Sequence, residues 1–150
     1  MKIRITSRQV FYFCVAVLIC FNFIYRVASN RMMSTLTWDV FGYYLYLPAF
    51  FYDDPAILNN KDSLLSKYNP TGSFYQAWKV PNGNYVMKYS CGQAIMYLPA
   101  FAVAHVIAKE FNYPVDGMSL PYQVTVNFEG LIVGIIGLWL LRKILKKYFH

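Results

Sequence analysis

Residues 9–25, QVFYFCVAVLICFNFIY, form an uncharged and mostly apolar run of 17 residues, and this run decides the class of fold. With the turn that follows to residue 30, in which Arg26 can extend its charge toward water, the segment is long enough to span about 30 Å of hydrocarbon. We therefore expect a retained membrane anchor. The alternative is a cleaved signal peptide with its cleavage site at residues 27–29, but the run exceeds the roughly 7–15 residues of a usual signal core.

Two more apolar runs lie toward the carboxyl terminus. Residues 89–108 are 20 uncharged residues with Pro99 near the middle, and residues 119–141 open with Ser-Leu-Pro, a helix-start pattern, and are interrupted only by Glu129. Only 14% of the chain is charged, whereas soluble domains carry about 25%. The predicted fold class is an all-α integral membrane protein with two to three transmembrane helices.

The basic residues lie at the ends of the apolar runs. Lys2, Arg4 and Arg8 precede the first run, and a second cluster follows the last run, at Arg142, Lys143, Lys146 and Lys147. This is the pattern of a topology signal, so the net charge of +7 does not indicate a nucleic-acid partner. Both clusters should face the cytoplasm, which requires an even number of crossings. We nevertheless expect three spans, because 20 apolar residues are hard to keep out of a bilayer; a kinked or re-entrant second segment is the alternative.

The runs divide the chain into three parts. Residues 1–30 are a cytoplasmic amino terminus and first transmembrane helix, residues 31–88 an external loop, and residues 89–150 the second and third membrane segments with a basic tail. The basic amino terminus places the loop outside the cytoplasm.

The external loop contains signals for secondary structure of its own. Residues 40–52 are apolar and aromatic and include Pro48, which predicts a helix lying in the membrane interface. Asn82-Gly83 between flanks with β propensity predicts a short hairpin, and Pro81 limits such a strand to a sheet edge.

Asp39 is the first candidate for chemistry, because it places a carboxylate among the aromatic residues of segment 38–44, where the chain would leave the bilayer. A charge at that position costs free energy unless it has a partner or a task. Asp39 could accept a proton from an acceptor hydroxyl or hold a metal ion. Periodicity alone favours a structural alternative, in which Asp39 is a helix N-cap.

Glu129 is a second acid in an apolar setting. Intramembrane acids are functional candidates by default, and a water-facing Glu129 would indicate a transporter. However, Glu129 adjoins a helix face that predicts close packing with other transmembrane helices, formed by Gln123, Asn127, Gly130, Gly134 and Gly137. We favour packing.

Four external basic residues lie near the expected bilayer surface and could bind the phosphate of a lipid-linked substrate, namely Arg26, Arg31, Lys79 and Lys88. Contact with ordinary lipid headgroups explains them equally well. The cysteines and His105 do not predict a metal site: Cys14 and Cys20 lie inside an apolar run, Cys91 is isolated, and His105, expected to be buried and structural, has no companion ligand nearby. A divalent metal at Asp39 stays possible.

Several short motifs together resemble a known family. They are the tyrosine-rich segment 43–49 after Asp39, Lys88-Tyr89-Ser90-Cys91-Gly92, the segments 97–101 and 116–123, and Leu141-Arg142-Lys143. Over nearly its whole length the chain resembles the amino-terminal part of multispanning membrane glycosyltransferases of the GT-C type, particularly predicted transferases of Bacteroidetes-like bacteria. It is more distantly similar to protein O-mannosyltransferases and lipid A aminoarabinose transferases.

The resemblance implies transfer of a sugar from a polyprenyl-phosphate donor to an acceptor at the non-cytoplasmic face of a bacterial inner membrane. Asp39 would be the catalytic residue that activates or positions the acceptor, and cationic side chains would stabilise the leaving phosphate. The implied substrate-binding residues are Lys88, Tyr89, Arg31, Tyr43 and Tyr44. No cofactor is evident, and Asp39 has no companion ligand for a divalent metal.

The chain differs from the family in three respects. Val40 stands where many relatives have a second acid, Tyr89-Ser90 replaces a pair of prolines, and family members have many more spans. We therefore expect an amino-terminal fragment that is inactive alone. The alternative is a small non-enzymatic membrane protein that acts as an assembly or interaction subunit, in which Asp39 is only a cap.

Overall fold

The computed structural model describes residues 6–29, 31–54 and 56–149. Lys2, Arg4 and residue 30, which enter the topology and span predictions, lie outside the described residues. The described chain is mostly helical. Its elements are α1 (Ser7–Ala28), α2 (Trp38–Tyr44), α3 (Tyr46–Tyr52), α4 (Lys61–Tyr68), β1 (Ala77–Lys79), β2 (Tyr85–Met87), α5 (Gly92–Glu110) and α6 (Leu120–Tyr148).

The chain forms two compact units. One contains α1 and the part of α6 from Phe128 onward, and the other is Met32–Asn127. Among the described residues, α1 and α6 are the two helices that are long and apolar enough to cross a membrane. The first and third apolar runs therefore form helices of the predicted kind. α5 is not among them, so by this measure the expected third span is not found.

α1 buries none of its residues, although most of them are apolar. Its first turn is closed by a capping box, in which Thr6 Oγ1 accepts a hydrogen bond from the Gln9 amide and the Gln9 side chain accepts one from the Thr6 amide. Phe13 and Phe21 are each 70% exposed. A helix that is apolar all round and buries nothing in protein is typical of contact with lipid.

The glycine face of α6 meets α1 at a single glycine. Leu18 Cδ2 lies 3.7 Å from where a Cβ on Gly134 would be, whereas Gly130 and Gly137 have nothing described within 4 Å. The neighbouring Glu129 has a buried Oε2 without a hydrogen-bond partner among the described residues. Packing of this face against other transmembrane helices stays a prediction.

The predicted interfacial helix over residues 40–52 is instead two short helices, α2 and α3, which meet at Leu45. Pro48 explains the break, because it has no N–H to donate to the carbonyl of Tyr44 and is tolerated only in the first turn of a helix. Both helices bury side chains in the core of their unit, including Phe41 and Leu47. Phe50 and Phe51 remain more than half exposed.

α5 buries four alanines and one phenylalanine and exposes most of its bulky aliphatic side chains. Its buried residues are Ala94, Ala100, Phe101, Ala104 and Ala108, and its exposed residues include Ile95, Met96, Leu98, Val103 and Val106. A helix on the surface of a water-soluble domain has the opposite arrangement. Alanines instead allow close approach of neighbouring backbones, as between helices in a membrane.

The hairpin prediction is confirmed. β1 and β2 pair antiparallel with Trp78 opposite Val86. The Gly83 amide donates to the Val80 carbonyl at 2.9 Å, and Gly83 has φ of 90°, a conformation that glycine adopts without strain. Pro81 lies in the turn rather than in a strand.

Candidate functional site

Asp39 is the second residue of α2 and does not cap it. The N-cap position belongs to Thr37, whose side chain accepts no hydrogen bond from a helix amide and whose hydroxyl donates to the Ser34 carbonyl. The capping interpretation of Asp39 is therefore wrong, because the helix begins one residue before it. The Asp39 side chain is exposed and is engaged with side chains from distant parts of the sequence.

Two tyrosine hydroxyls donate to the same oxygen of the Asp39 carboxylate. Tyr75 reaches Oδ1 at 3.0 Å, and Tyr89 makes a short hydrogen bond to the same atom. No described residue donates to Oδ2, which leaves that oxygen available to a ligand. The hydrogen bonds from Tyr89 and then Tyr75 lower the pKa of Asp39 below its ordinary value of 3.8, with a smaller contribution from the charge of Lys88. Asp39 is therefore a carboxylate at neutral pH.

Lys88 brings a positive charge to the same cluster. Its ammonium lies 4.9 Å from the ring centre of Tyr75 and 5.3 Å from that of Tyr89, within the range of cation–π attraction. The hydrogen bond to Asp39 is the main reason that the pKa of Tyr89 is raised, so its phenol stays protonated and remains a donor. The cluster thus combines one carboxylate, two phenols and one ammonium.

The buried side chain of Gln76 connects the segments that carry this cluster. Its Nε2 donates to the Trp38 carbonyl at 3.2 Å, and its own backbone carbonyl accepts from the Lys88 amide at 2.8 Å. Trp38 has φ of 51°, a left-handed conformation that costs a bulky residue on the order of 1–2 kcal/mol. Such strain persists only where surrounding contacts over-determine it, and it is frequent at functional sites.

Gly42 makes room for the ring of Tyr89. A Cβ at this position would lie 2.2 Å from Tyr89 Cε2, far inside van der Waals contact. Tyr43 packs against the same ring with centroids 4.6 Å apart. The hydroxyl of Tyr46 donates to the Tyr89 backbone carbonyl and fixes the chain there.

The structure brings together four of the six predicted site residues. Asp39, Lys88, Tyr89 and Tyr43 share one surface. Tyr44 does not, because it is fully buried and its hydroxyl donates to the Gly117 carbonyl.

Arg31 belongs to the other unit, where its guanidinium donates to the Tyr25 hydroxyl at 2.7 Å. Sequence reasoning missed Tyr75. It lies 36 residues from Asp39 and carries no local motif.

A second carboxylate, Asp116, has a different environment. Its Oδ1 accepts from the amides of Met118 and Ser119, both at 3.0 Å, at the start of α6. Its Oδ2 accepts from Lys67 at 2.7 Å and from the Tyr68 hydroxyl. Burial and then the hydrogen bond to Asp116 raise the pKa of Tyr68 to about 12. Asp116 borders a cleft of about 290 Å³ between α3 and α4.

His105 has a structural setting. Its Nδ1 lies 2.6 Å from the Tyr52 hydroxyl, which is 3.1 Å from the Tyr122 hydroxyl. Within residues 6–29, 31–54 and 56–149, no three His, Cys, Asp or Glu side chains are grouped as a metal ion would require.

No protein-family model matches the chain. Comparison with curated proteins and with solved structures also finds no match.

Proposed function

We propose that this chain forms part of a membrane glycosyltransferase that moves a sugar from a polyprenyl-phosphate donor to an acceptor hydroxyl. The observation that carries the proposal is the exposed carboxylate of Asp39. Its Oδ1 is held by two tyrosines, its Oδ2 is open to a ligand, and the Lys88 ammonium lies over the same two rings. The resemblance of the surrounding motifs to GT-C transferases supports the same assignment.

In the proposed reaction, the acceptor hydroxyl donates a hydrogen bond to Asp39 Oδ2. The acceptor oxygen attacks the anomeric carbon, the bond from that carbon to the lipid phosphate breaks, and the acceptor proton passes to Asp39. A carboxylate with a lowered pKa is a weak base, so the proton moves late, when the attacking oxygen has become acidic. Lys88 would stabilise the charge that develops on the leaving phosphate.

The two membrane-length helices support a placement of this site outside the cytoplasm. If α1 and α6 are the crossings, both basic clusters lie at the cytoplasmic side, as the distribution of lysine and arginine requires. Residues 32–127 then lie on the other side, where polyprenyl-linked sugars would be used. α5, with its exposed aliphatic side chains, would be the kinked or re-entrant element rather than a third span.

The test is Asp39→Asn in the native gene product, assayed in its own membrane by transfer of labelled sugar from the polyprenyl-phosphate pool. Asp62→Asn, which removes another exposed carboxylate, is the matched control. We expect transfer to fall by about 10²–10⁴-fold in the first variant and to persist in the second. Unchanged transfer by a correctly inserted Asp39→Asn variant would contradict the proposal.

One observation favours a non-enzymatic assembly subunit as the second candidate. Glu129 has a buried oxygen without a described partner, and Gly130 and Gly137, on the glycine face of α6, have no described neighbour within 4 Å. A further helix could satisfy both. For such a subunit, Asp39→Asn would leave every phenotype intact, whereas Gly130→Leu would disrupt assembly.

A further inference from the structure

A groove runs between α1 and the last turns of α6, within one unit of the molecule. It has a volume of about 370 Å³ and an apolar lining that includes Val10, Phe11, Cys14, Leu138, Leu141 and Leu145. Arg142 and Lys146 line the same groove. An apolar slot with two cations is therefore built from the two helices that are long enough to cross a membrane.

The cations of this groove have no acidic partner among the residues that the structure describes. All seven acidic residues lie in the described part of the chain, and its two ion pairs, Lys61–Asp62 and Lys67–Asp116, involve neither Arg142 nor Lys146. Arg142 Nε is buried and lacks a hydrogen-bond acceptor among the described residues, while its guanidinium lies 5.9 Å from the ring centre of Phe11. A buried donor of this kind calls for an acceptor beyond the described residues, and a bound ligand would supply one.

We infer that the groove binds one acidic phospholipid, with an acyl chain against the apolar lining and the phosphate at Arg142 and Lys146. The uncharged part of α6 ends at Leu141, so the two cations lie where headgroups begin. The guanidinium matches a phosphate in shape and charge. Basic pockets between transmembrane helices at the cytoplasmic side bind anionic headgroups for these reasons.

The chain offers an internal control for this inference. Lys143 and Lys147 belong to the same basic cluster but do not line the groove. The Lys143 ammonium lies 3.8 Å from the ring centre of Trp139, and the Lys147 ammonium lies over the ring of Tyr148. If the lipid binds in the groove, its retention depends on which two cations are removed. If it is attracted only by the charge of the surface, its retention depends on the number of cations removed and not on their positions.

The experiment is native mass spectrometry of the full chain in detergent, titrated with phosphatidylglycerol or with phosphatidylcholine. We expect phosphatidylglycerol to be retained preferentially at one copy per chain. The double variant R142Q/K146Q should weaken its retention by about 30-fold, the factor expected for two interfacial cations, and K143Q/K147Q should leave it nearly unchanged. Leu138→Trp, which fills the slot without changing charge, should also displace the lipid.

Three outcomes would overturn the inference. Equal retention of the two lipids would show that the cations do not select the headgroup. Equal losses in the two double variants would show a diffuse charge effect. A photoreactive group at Cys14 that crosslinks to protein instead of lipid would show that another helix fills the groove. The inference does not depend on the proposed transferase activity and can fail while that proposal stands.

Discussion

Asp39 and Asp116 have the same kinds of neighbours, but the hydrogen-bond donors are distributed differently over their two carboxylate oxygens. Each carboxylate accepts hydrogen bonds from tyrosine hydroxyls and lies near a lysine. Both oxygens of Asp116 are occupied, one by two backbone amides and one by Lys67 and Tyr68. Among the described residues, only one oxygen of Asp39 accepts hydrogen bonds, and both of its donors lie at that atom. Residue types alone do not separate a structural carboxylate from a candidate catalytic one; the oxygen that is left open does.

The largest expected difference between the two acids is in activity. Asp39→Asn should lower transfer by about 10²–10⁴-fold and leave the thermal unfolding midpoint unchanged, because the side chain is exposed. Sugar transfer and thermal unfolding of the same membrane preparation would measure both. Loss of folding in this variant would erase the distinction between the two sites.

The next largest effect is the reverse experiment on Asp116. Asp116→Ala removes the acceptor at the start of α6 and the partner of Lys67, so we expect a loss of about 2 kcal/mol in unfolding free energy. Activity per folded molecule should be retained. Denaturant unfolding in detergent would measure the stability, and Asp62→Ala is the control at an exposed acid.

The two carboxylates should also differ in how much they contribute to stability at low pH. Burial tends to raise the pKa of Asp116, but hydrogen bonds from Lys67 and Tyr68 lower it overall below 3.8. Because the folded pKa is below the unfolded one, the stabilisation is fully present above about pH 3.8 and is lost as pH falls through the folded pKa. The free energy of unfolding, measured between pH 5 and 2, should depend less on pH in Asp116→Asn than in Asp39→Asn. The carboxylate that Asp39→Asn removes is exposed and screened by solvent, so its loss should change the pH dependence little. Equal pH dependence in the two variants would contradict this assignment.

A smaller effect is expected from the tyrosines that hold Asp39. Tyr89→Phe removes the hydrogen bond that contributes most to the lowered pKa of Asp39, so that pKa should rise toward its ordinary value. Tyr75→Phe should raise it less. Nuclear magnetic resonance of the labelled carboxyl carbon would follow both, with Tyr68→Phe as the control that leaves Asp39 unchanged. The reverse ranking of the two variants would overturn this account of the site.

The smallest effects are expected from substitution of the two lysines, Lys67 and Lys88. Lys67→Gln breaks an exposed ion pair and should cost about 0–1 kcal/mol of stability. Lys88→Gln should leave stability unchanged but raise the KM for a polyprenyl-phosphate donor, because its charge would meet the phosphate. Steady-state kinetics at varied donor concentration would distinguish them; an unchanged KM would remove Lys88 from the donor site.

Much of the fold could be predicted from local pattern. Hydropathy predicted the apolar helices α1 and α6, and Asn82-Gly83 predicted the hairpin. The break between α2 and α3 does not follow from hydropathy, because it depends on the N–H that Pro48 cannot donate to the carbonyl of Tyr44. Asp39, Lys88 and Tyr89 could be named as candidates from the sequence, and the structure brings them together. Tyr75 could not be named, since tertiary folding alone brings it to Asp39.

The pentapeptide Tyr-Leu-Pro-Ala-Phe shows why local pattern has this limit. It occurs at residues 46–50 in α3 and again at 97–101 in α5. The leucine and proline are buried in the first copy and exposed in the second, whereas the phenylalanine is exposed in the first and buried in the second. Which side of an apolar helix turns inward is therefore decided by its neighbours rather than by its own five residues.

Gly42 is a position at which the site can be perturbed by steric means alone, without a change of charge. Because a single methyl group there would collide with the ring of Tyr89, Gly42→Ala would displace one donor of Asp39 while leaving every polar atom of the cluster in the chain. Such a variant would keep the net charge and the titratable groups of the parent. It would therefore test whether the placement of the Tyr89 hydroxyl, rather than its presence alone, matters for the proposed reaction.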